Sequence, residues 1–355
     1  MSDPKPDHLL VPPRDAASNA GRRRFLLHLG LLAGAGLAPF VAGSSRGKRS
    51  GASDPAAASR SGSSRPARLE TARPALGTWV RVVVSDGDEG RAARAVEGAF
   101  RAIAVVDAQM SIHRRDSQLA RVNAAAGRGT VAVDPALVTV VARACDAARE
   151  TGGAYDPTIL PLMRLYGFYG ARRDRFPSDR EIAAALDVTG HRFVTVDAAT
   201  GRIGLTRRGA ALDLGSIGKG WALDRAVDAI RREGVNAALV DVGGNVYGLG
   251  APDDRSDGWT VAVVHPERGT LDRTFTLRDQ AIGTSGNSEQ RHRLGRTEVG
   301  HLLDAARGRP ATGPGSATVR TWTGVDSDLY STVAFLLGPD RLRGVPAILD
   351  AHFIG

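Results

Sequence analysis

The sequence predicts an α+β protein, built as one large globular body of mixed sheets packed with helices. Segments with the 3.6-residue apolar period of helices stand beside short β-branched segments, without the strict strand–helix alternation of a doubly wound sheet. The chain has 355 residues, of which 42% are apolar, and residues 70–355 show no internal repeat and no linker. We therefore expect a single folded domain over residues 70–355.

The elements of this domain follow from its local patterns. A first strand is predicted at 79–84, where apolar and β-branched residues alternate, and a long helix at 89–109. A last helix, 326–337, should be capped by Asp326 or Ser327 and end before Gly338-Pro339. Further helices are predicted at 116–125, 135–151, 178–186 and 217–233, and further strands at 192–196, 201–205, 237–242, 259–264, 273–277 and 317–323.

The first 43 residues have the pattern of an export signal. Three arginines and Phe25-Leu26 open an apolar, glycine-interrupted stretch, as in twin-arginine signals, so the Tat export machinery is an expected partner. An uncleaved membrane anchor at 25–42 is the alternative. Both predict a body outside the cytoplasm, periplasmic or attached to the outer face of the inner membrane. Residues 44–69, rich in Ser, Arg, Ala and Gly, are expected to form a disordered linker.

The charge distribution argues against nucleic acid as a partner. Of the formal net charge of +9, residues 1–69 supply +7, which leaves +2 for the body. The single cysteine, Cys145, lies in an apolar-periodic segment, so neither an internal disulfide nor a cysteine-based zinc site is expected. Core packing is the favoured role for it.

The stretch LDLGSIGKGWALD, residues 212–224, contains Lys219, the only lysine after Lys48. A glycine-rich turn that opens a helix offers free N–H groups and the positive end of the helix dipole, which suits an anion such as phosphate. The stretch matches neither the Walker loop nor the dinucleotide fingerprint. A tight turn in which Lys219 caps local groups is the alternative.

Two further pairs have the residue types of a catalytic site. Asp328 and Thr332 are four residues apart on a predicted helix, and their oxygens suit Mg²⁺. His301 and Asp304 flank two leucines, a spacing in which Asp304 would orient an imidazole base. The alternatives are a packed threonine and a histidine satisfied in the core. The segment from Thr151, TGGAYDPTILPLMRLYGF, forms either a shaped loop or an ordinary helix connection.

Taken together and in this order, these segments resemble the ApbE family of flavin transferases, whose members move FMN from FAD onto a Thr or Ser of a target protein. The similarity covers residues 75–338. The matching segments are ALGTWVRVVV, MSIHRRDSQLARVN, YDPTILPLMRLYGF, LDLGSIGKGWALD, ALVDVGGNVYGLG, AIGTSGNS, HLLDAARGRP and SDLYSTVAFLLGPD.

The resemblance implies roles for individual residues and an ApbE-like flavin transferase fold. FAD contacts are implied for Leu76, His113, Ala154, Tyr155, Asp156, Asp213, Lys219 and His301. Ser216, Asp328 and Thr332 match the metal ligands, and His301, with Asp304 behind it, matches the base. The implied cofactor is Mg²⁺, the implied substrate is FAD, and the implied partner is an exported acceptor protein with a Thr or Ser flavinylation motif.

Three functions remain open at this point. The first is an Mg²⁺-dependent FAD:protein FMN transferase, the second an FAD pyrophosphatase that releases FMN and AMP, and the third a non-enzymatic periplasmic flavin-binding or maturation protein. The chain departs from the family pattern at three places: Leu76 replaces Met, Asn245 stands where Asp is frequent, and DAARG, residues 304–308, replaces D-P-R-T-G.

Overall fold

The computed structural model describes residues 67–287 and 290–355. Within them lie seven α-helices. Most of these helices are amphipathic, and most begin with a polar N-cap residue. They are α1 (Glu89–Met110), α2 (Gln118–Ala124), α3 (Pro135–Glu150), α4 (Leu160–Leu165), α5 (Asp179–Leu186), α6 (Gly218–Arg232) and α7 (Gly324–Leu337).

The described strands number sixteen, and seven of them form one antiparallel sheet in the order β1-β2-β6-β7-β10-β15-β16. The strands are β1 (Ala67–Ala75), β2 (Thr78–Asp86), β3 (Thr130–Ala132), β4 (Val194–Asp197), β5 (Arg202–Leu205), β6 (Ala238–Val242), β7 (Asn245–Leu249), β8 (Trp259–Val264), β9 (Leu271–Leu277), β10 (Gln280–Gly286), β11 (Arg291–Leu294), β12 (Thr297–Gly300), β13 (Leu303–Asp304), β14 (Arg309–Pro310), β15 (Ser316–Thr321) and β16 (Ile348–Ile354).

Both faces of the seven-stranded sheet are covered. Helices α1, α6 and α7 pack on one face and share the main apolar core, in which Cys145 is buried. The β8–β9 hairpin covers the other face through a second cluster that includes Trp259 and Phe275. A third cluster joins α4 to the β11–β12 hairpin through Leu162, Met163 and Leu294. Helices α6 and α7 contribute lining residues to the cavity described below, and the β11–β12 hairpin is flanked by two more, Gln290 and His301.

Helices α6 and α7 meet at two glycines. A Cβ at Gly220 would overlap the carbonyl oxygen of Gly324, and a Cβ at Gly324 would lie 2.6 Å from the carbonyl oxygen of Gly220. The Asp224 carboxylate, on α6, accepts the N–H groups of Gly324 and Val325 at 2.6 and 3.0 Å and so satisfies the first turn of α7. The two glycines and this cap fix the N-terminal ends of both helices side by side.

The structure confirms the α+β class and corrects several boundaries. Strand β1 begins at Ala67, so the last three residues of the predicted linker belong to the sheet. Helix α7 begins at Gly324, and its cap is Thr323, whose Oγ1 accepts the Asp326 N–H at 3.1 Å; Asp326 and Ser327 lie inside the helix. The predicted signal (1–43) and residues 44–66 of the predicted linker lie outside the described residues. Within the described part, no helix is long and apolar enough to cross a membrane.

Candidate active site

A cavity of about 350 Å³ is lined by residues of the N-terminal halves of α6 and α7 and by residues on either side of the β11–β12 hairpin, Gln290 and His301. Of the twelve residues singled out from the sequence, eleven line it: Leu76, His113, Ala154, Tyr155, Asp156, Asp213, Ser216, Lys219, His301, Asp328 and Thr332. They come from segments spread over more than 250 residues of the chain. The fold therefore brings the predicted constellation together, and only Asp304 is absent from the lining.

Lys219 and Asp328 form an ion pair in this cavity. Lys219 Nζ donates to Asp328 Oδ1 at 2.9 Å and to the Gly215 carbonyl at 2.6 Å. Asp328 is 3% exposed, and it also accepts the Gly220 N–H at 3.0 Å and the Asn245 amide at 3.0 Å. The N-cap of α6, Ile217, has no capping side chain, so the Asp328 carboxylate satisfies one of the free donors of its first turn. Lys219 thus bonds locally, as the alternative interpretation expected, while it also lines the cavity.

Hydroxyl groups surround this ion pair. Ser216 Oγ donates to the Tyr155 hydroxyl at 3.2 Å, which leaves the lone pairs of Ser216 available to a ligand. Thr332 Oγ1 lies 3.2 Å from Ser285 Oγ and 3.4 Å from the Asp328 carbonyl one turn earlier on α7. Burial raises the pKa of Tyr155 well above its usual range, so its hydroxyl stays neutral.

The loop 154–156 is held in place by its buried carboxylate. Asp156 accepts the Thr158 N–H and hydroxyl at 2.9 and 2.6 Å, and the His191 N–H at 2.7 Å; the His191 ring Nδ1 lies 3.0 Å away. The Ala154 carbonyl accepts the Ala305 N–H at 3.0 Å. Although Asp156 lines the cavity, these bonds make it the anchor of the loop that presents Ala154 and Tyr155.

Asp213 and His113 meet at Tyr169. Burial raises the pKa of Asp213, although hydrogen bonds from the Gly215 N–H and the Tyr169 hydroxyl favour its charged form. The rings of His113 and Tyr169 pack edge to face with centroids 5.5 Å apart. His113 therefore packs beside the Tyr169 ring in the wall of the cavity.

Leu76 lines the cavity and has an unusual backbone conformation. Leu76 and Gly77 form the two-residue turn of the β1–β2 hairpin with φ of 52° and 71°. Glycine adopts such angles freely, but a leucine there is strained. Strain of this kind concentrates at sites where a side chain has to point at a ligand.

His301 is half-buried, and its imidazole is kept neutral. Burial, and then the charge of Lys219, lower the pKa of His301 to about 4, and its buried Nδ1 has no hydrogen-bond partner among the described residues. Its backbone N–H donates to the Gln290 carbonyl at 3.1 Å. A neutral imidazole with a free ring nitrogen in a cavity can accept a proton.

The prediction that Asp304 orients His301 is wrong. Asp304 Oδ1 accepts the Arg307 N–H at 3.0 Å and Oδ2 pairs with the Arg307 guanidinium at 3.0 Å, inside the β13–β14 turn. The Asp304 carboxylate is thus engaged within its own turn, and His301 Nδ1 accepts or donates no hydrogen bond among the described residues. The carboxylate shapes the DAARG turn instead.

The donor set fits a hard divalent cation. Asp328 supplies one carboxylate and Ser216 and Thr332 supply hydroxyl oxygens, the ligands that Mg²⁺ takes when substrate phosphates and water complete its shell. Among the described residues, no three His, Cys, Asp or Glu side chains form a metal cluster, because only one of these ligands is acidic. The Oδ1 of Asn245 is buried without a hydrogen-bond partner while its Nδ2 donates to Asp328, so an unused acceptor stands beside the carboxylate.

The sequence reasoning missed three residues of the site. Tyr169 and Ser285 line the cavity, and Asn245 holds Asp328. Ser285 belongs to AIGTSGNS, a segment that carries the resemblance but in which no residue was singled out. Tyr169 stands one residue beyond another matched segment, and neither position has a charge or spacing that would mark it.

Comparisons with known proteins define the family of this chain. The ApbE family profile matches residues 76–349. An FAD:protein FMN transferase of Klebsiella pneumoniae is 30% identical over 289 residues, covering 79% of this chain and 86% of its own; one of Treponema pallidum is 31% identical over 314 residues, covering 82% and 86%. The crystal structure of the ApbE protein of Thermotoga maritima, at 29% identity, superposes with a TM-score of 0.74 over 81% of this chain and 94% of its own.

A flavin transferase ApbE from Vibrio cholerae has the same fold, with a TM-score of 0.70 at 25% identity over 82% of this chain and 98% of its own. The fold is thus that of the flavin transferases. The chain belongs to the ApbE family.

Proposed function

We propose that the chain is an Mg²⁺-dependent FAD:protein FMN transferase that attaches FMN to a Thr or Ser of an exported acceptor protein and releases AMP. One observation carries the proposal: eleven residues chosen for flavin transfer line a single cavity, in a chain of the ApbE family. The names of the relatives supply the reaction. The metal, the acceptor residue and the leaving group go beyond those names and are proposed here.

The cavity offers a separate set of contacts to each part of FAD. Lys219 and the first turn of α6 present an ammonium and a helix N-terminus to the diphosphate. Leu76, His113 and Tyr169 present apolar and aromatic surface to the ring systems. Binding of the diphosphate gives Lys219 a second anion in addition to Asp328.

The chemistry requires one proton acceptor and stabilisation of negative charge. When bound by Ser216, Asp328 and Thr332, Mg²⁺ supplies charge neutralisation at the diphosphate. The acceptor hydroxyl oxygen forms a bond to the FMN phosphorus, the bond from that phosphorus to the AMP oxygen breaks, and AMP leaves. His301, which is neutral at pH 7, takes the hydroxyl proton. Lys219 stabilises the charge that develops on the phosphate oxygens.

Export to the periplasm, or to the outer face of the inner membrane, is part of the same proposal. It is supported by the twin-arginine pattern at Arg22-Arg23 and the apolar stretch after it. A protein exported by the Tat machinery crosses the membrane folded, so FAD and the metal have the opportunity to enter either before or after export.

The test is co-expression of the full chain with a candidate exported acceptor, followed by in-gel flavin fluorescence and chromatographic detection of AMP. We expect fluorescence on the acceptor and one AMP for each FMN transferred, both of which depend on added Mg²⁺. Steady AMP release from FAD without an acceptor would identify a pyrophosphatase instead. Tight FAD binding with no AMP under any condition would identify a flavin-binding protein.

A further inference from the structure

Positive charge is concentrated beside the cavity rather than spread over the body. Residues 160–186 and 291–310, which contain α4, α5 and the β11–β14 hairpins, hold ten arginines and five acidic residues, a net charge of +5. Residues 70–355 carry +2 in total, so the rest of that body is net negative. This asymmetry gives the two segments, which lie beside the cavity, a local positive field.

Besides Arg180 on α5, four of these arginines are exposed and have no ion pair with another described residue. They are Arg164, Arg172, Arg293 and Arg296, and we call them the arginine rim. Other arginines of the same segments are neutralised: Arg173 and Arg175 pair with Glu181 at 2.7 and 2.8 Å, for example. Unpaired exposed arginines offer guanidinium groups to a carboxylate of another molecule at little desolvation cost.

Contacts between the segments hold the arginine rim together. The Gly295 N–H, beside Arg296, donates to the Asp174 carbonyl at 2.7 Å, two residues from Arg172. His292 Nε2 lies 2.7 Å from the Tyr166 carbonyl, which joins the strand of Arg293 to the end of the helix of Arg164. The four charges therefore belong to one surface formed by α4, the 170–175 loop and the β11–β12 hairpin.

This surface borders the reacting end of the cavity. Strand β12 ends at Gly300, next to His301, and the Phe168 ring packs against both His292 and His301 with centroids 4.5 and 6.4 Å away. Two lining residues are close to rim positions in the sequence: Met163 directly precedes Arg164, and Tyr169 lies three residues before Arg172. The segments that carry the arginine rim therefore pack directly against His301.

We infer that the arginine rim is the docking surface for the acceptor protein, and that the acceptor presents acidic residues around its modified Thr or Ser. The inference rests on the proposed transferase function and adds the chemical character of the partner. Complementary charge at a rim of this kind raises the association rate and fixes register more than it adds to chemistry. FAD binding, deeper in the cavity, does not depend on it.

The test compares two triple variants of the full chain with equal net charge. The rim variant is Arg172→Glu/Arg293→Glu/Arg296→Glu. The control is Arg208→Glu/Arg232→Glu/Arg268→Glu, whose three arginines are exposed, have no ion pair with a described residue and do not line the cavity. The measurements are KM and kcat for the acceptor established by in-gel fluorescence, at 25 and 250 mM NaCl, and the Kd for FAD from flavin fluorescence.

We expect the rim variant to raise the acceptor KM about tenfold or more at low salt, with kcat and the FAD Kd within about twofold of wild type. High salt should reproduce much of that loss in the wild type and have little effect on the variant. The control should behave as wild type. An acceptor KM that the rim variant leaves unchanged, while the wild type transfers FMN normally, would overturn the inference.

Two other outcomes are separable. A wild type that modifies no acceptor would contradict the proposed function itself and not the rim alone. Binding to vesicles of 30% phosphatidylserine that is lost in the rim variant, with acceptor kinetics unchanged, would assign the surface to the membrane and refute acceptor docking.

Discussion

Asp328 is the residue on which the metal assignment depends. It is almost fully buried and its carboxylate accepts hydrogen bonds from Lys219, Gly220 and Asn245. A carboxylate in this position must be paired, and the ammonium of Lys219 is its counter-ion in the absence of a metal. The same geometry leaves Lys219 free to contact phosphate once another cation neutralises Asp328.

Replacement of Asp328 by alanine should abolish Mg²⁺-dependent transfer while FAD still binds. We expect kcat to fall at least about 100-fold, which is roughly 2.7 kcal/mol of transition-state stabilisation. Lys219 keeps its bond to the Gly215 carbonyl and its charge, so the Kd for FAD should change little. The matched control is Asp326→Ala, on the same helix but paired with Arg143 away from the cavity. Transfer that survives Asp328→Ala would contradict the metal assignment.

The low pKa of His301 predicts an unusual pH profile. Because the folded protein holds the imidazole neutral down to a pKa of about 4, kcat/KM should lose half its value on the acid side near pH 4, and not near 6.5. His301→Gln should lower kcat by about 10² to 10⁴ and remove this acid limb. A midpoint near 6.5 in the wild type would show that the imidazole is solvated in the working enzyme.

The same shift has a consequence for stability with a fixed sign. The pKa of His301 is lower in the folded than in the unfolded chain, so the unfolded chain takes up a proton first as the pH falls. The contribution of neutral His301 is present in full above about pH 6.5 and is lost between 6.5 and 4. Denaturation of wild type and His301→Gln at several pH values measures that difference.

At the scale of elements, the crossing of α6 and α7 determines the position of the site. Lys219 lies on the first and Asp328 on the second, and Gly220 and Gly324 let the two backbones touch between them. A helix crossing this close leaves no room for a side chain. The distance between the ammonium and the carboxylate is thus set by two glycines.

Gly220→Ala should therefore damage the fold, whereas Gly218→Ala should not. The new Cβ at 220 would overlap the Gly324 carbonyl, and we expect a loss of about 1–3 kcal/mol in the free energy of unfolding. At 218 the nearest atom to a new Cβ is Leu214 Cβ at 3.9 Å, and alanine there improves helix propensity. Denaturant titration of both variants measures the contrast. Equal stability of the two would show that α6 and α7 separate in solution.

Six of the seven described helices were predicted, all but α4, whereas several strands were not, for a local reason. Helix α3 carries its own apolar period and its Asp134 cap, so the prediction fell within one residue of its bounds. Strands β7 and β10, with the sequences NVYGL and QAIGTSG, lack a β-branched pattern. Gly283 in β10 lies against the Ser327 carbonyl of α7, so the residue is chosen for close approach to a helix and not for strand propensity.

At the scale of the whole molecule, the body is closed at one edge by β1, which the sequence analysis assigned partly to the linker. Its nine residues pair with β2 from Ala67↔Asp86 to Ala75↔Thr78, and Glu70 accepts from the buried Arg81 guanidinium at 2.7 Å. Pro74 and two arginines hide this strand from a pattern search. The three-dimensional pairing, not the local sequence, specifies it.

Deletion of residues 1–75 should destabilise the body, and deletion of 1–66 should not. The longer deletion removes β1 and its pairing with β2 and leaves Arg81 without Glu70, so we expect a loss of at least about 2 kcal/mol in the free energy of unfolding. Thermal unfolding of the two shortened chains beside the full chain measures it. A chain starting at residue 76 as stable as one starting at 67 would show that β1 contributes nothing to the sheet.

Eleven of the twelve residues singled out line the cavity because they follow the residue types and the order of the ApbE family pattern. What the sequence could not give is which neighbour each side chain bonds: Asp304 stands three residues from His301, but its carboxylate pairs with Arg307 in its own turn. Asn245 likewise stood out only as a departure from a pattern, whereas the fold makes it the neighbour of Asp328. Orientation is a property of the assembled strands.

Because Cys145 is the only cysteine, its labelling can measure how often the core around α3 opens. The thiol is buried in α3, so thiol reagents do not reach it while the core is closed. Burial also raises its pKa to about 12, so almost none of the reactive thiolate is present at neutral pH. Any labelling at neutral pH records a molecule that has transiently opened around that helix. The rate at which the labelled mass appears, measured with and without FAD, would show whether a ligand in the cavity reduces the opening of the core around α3.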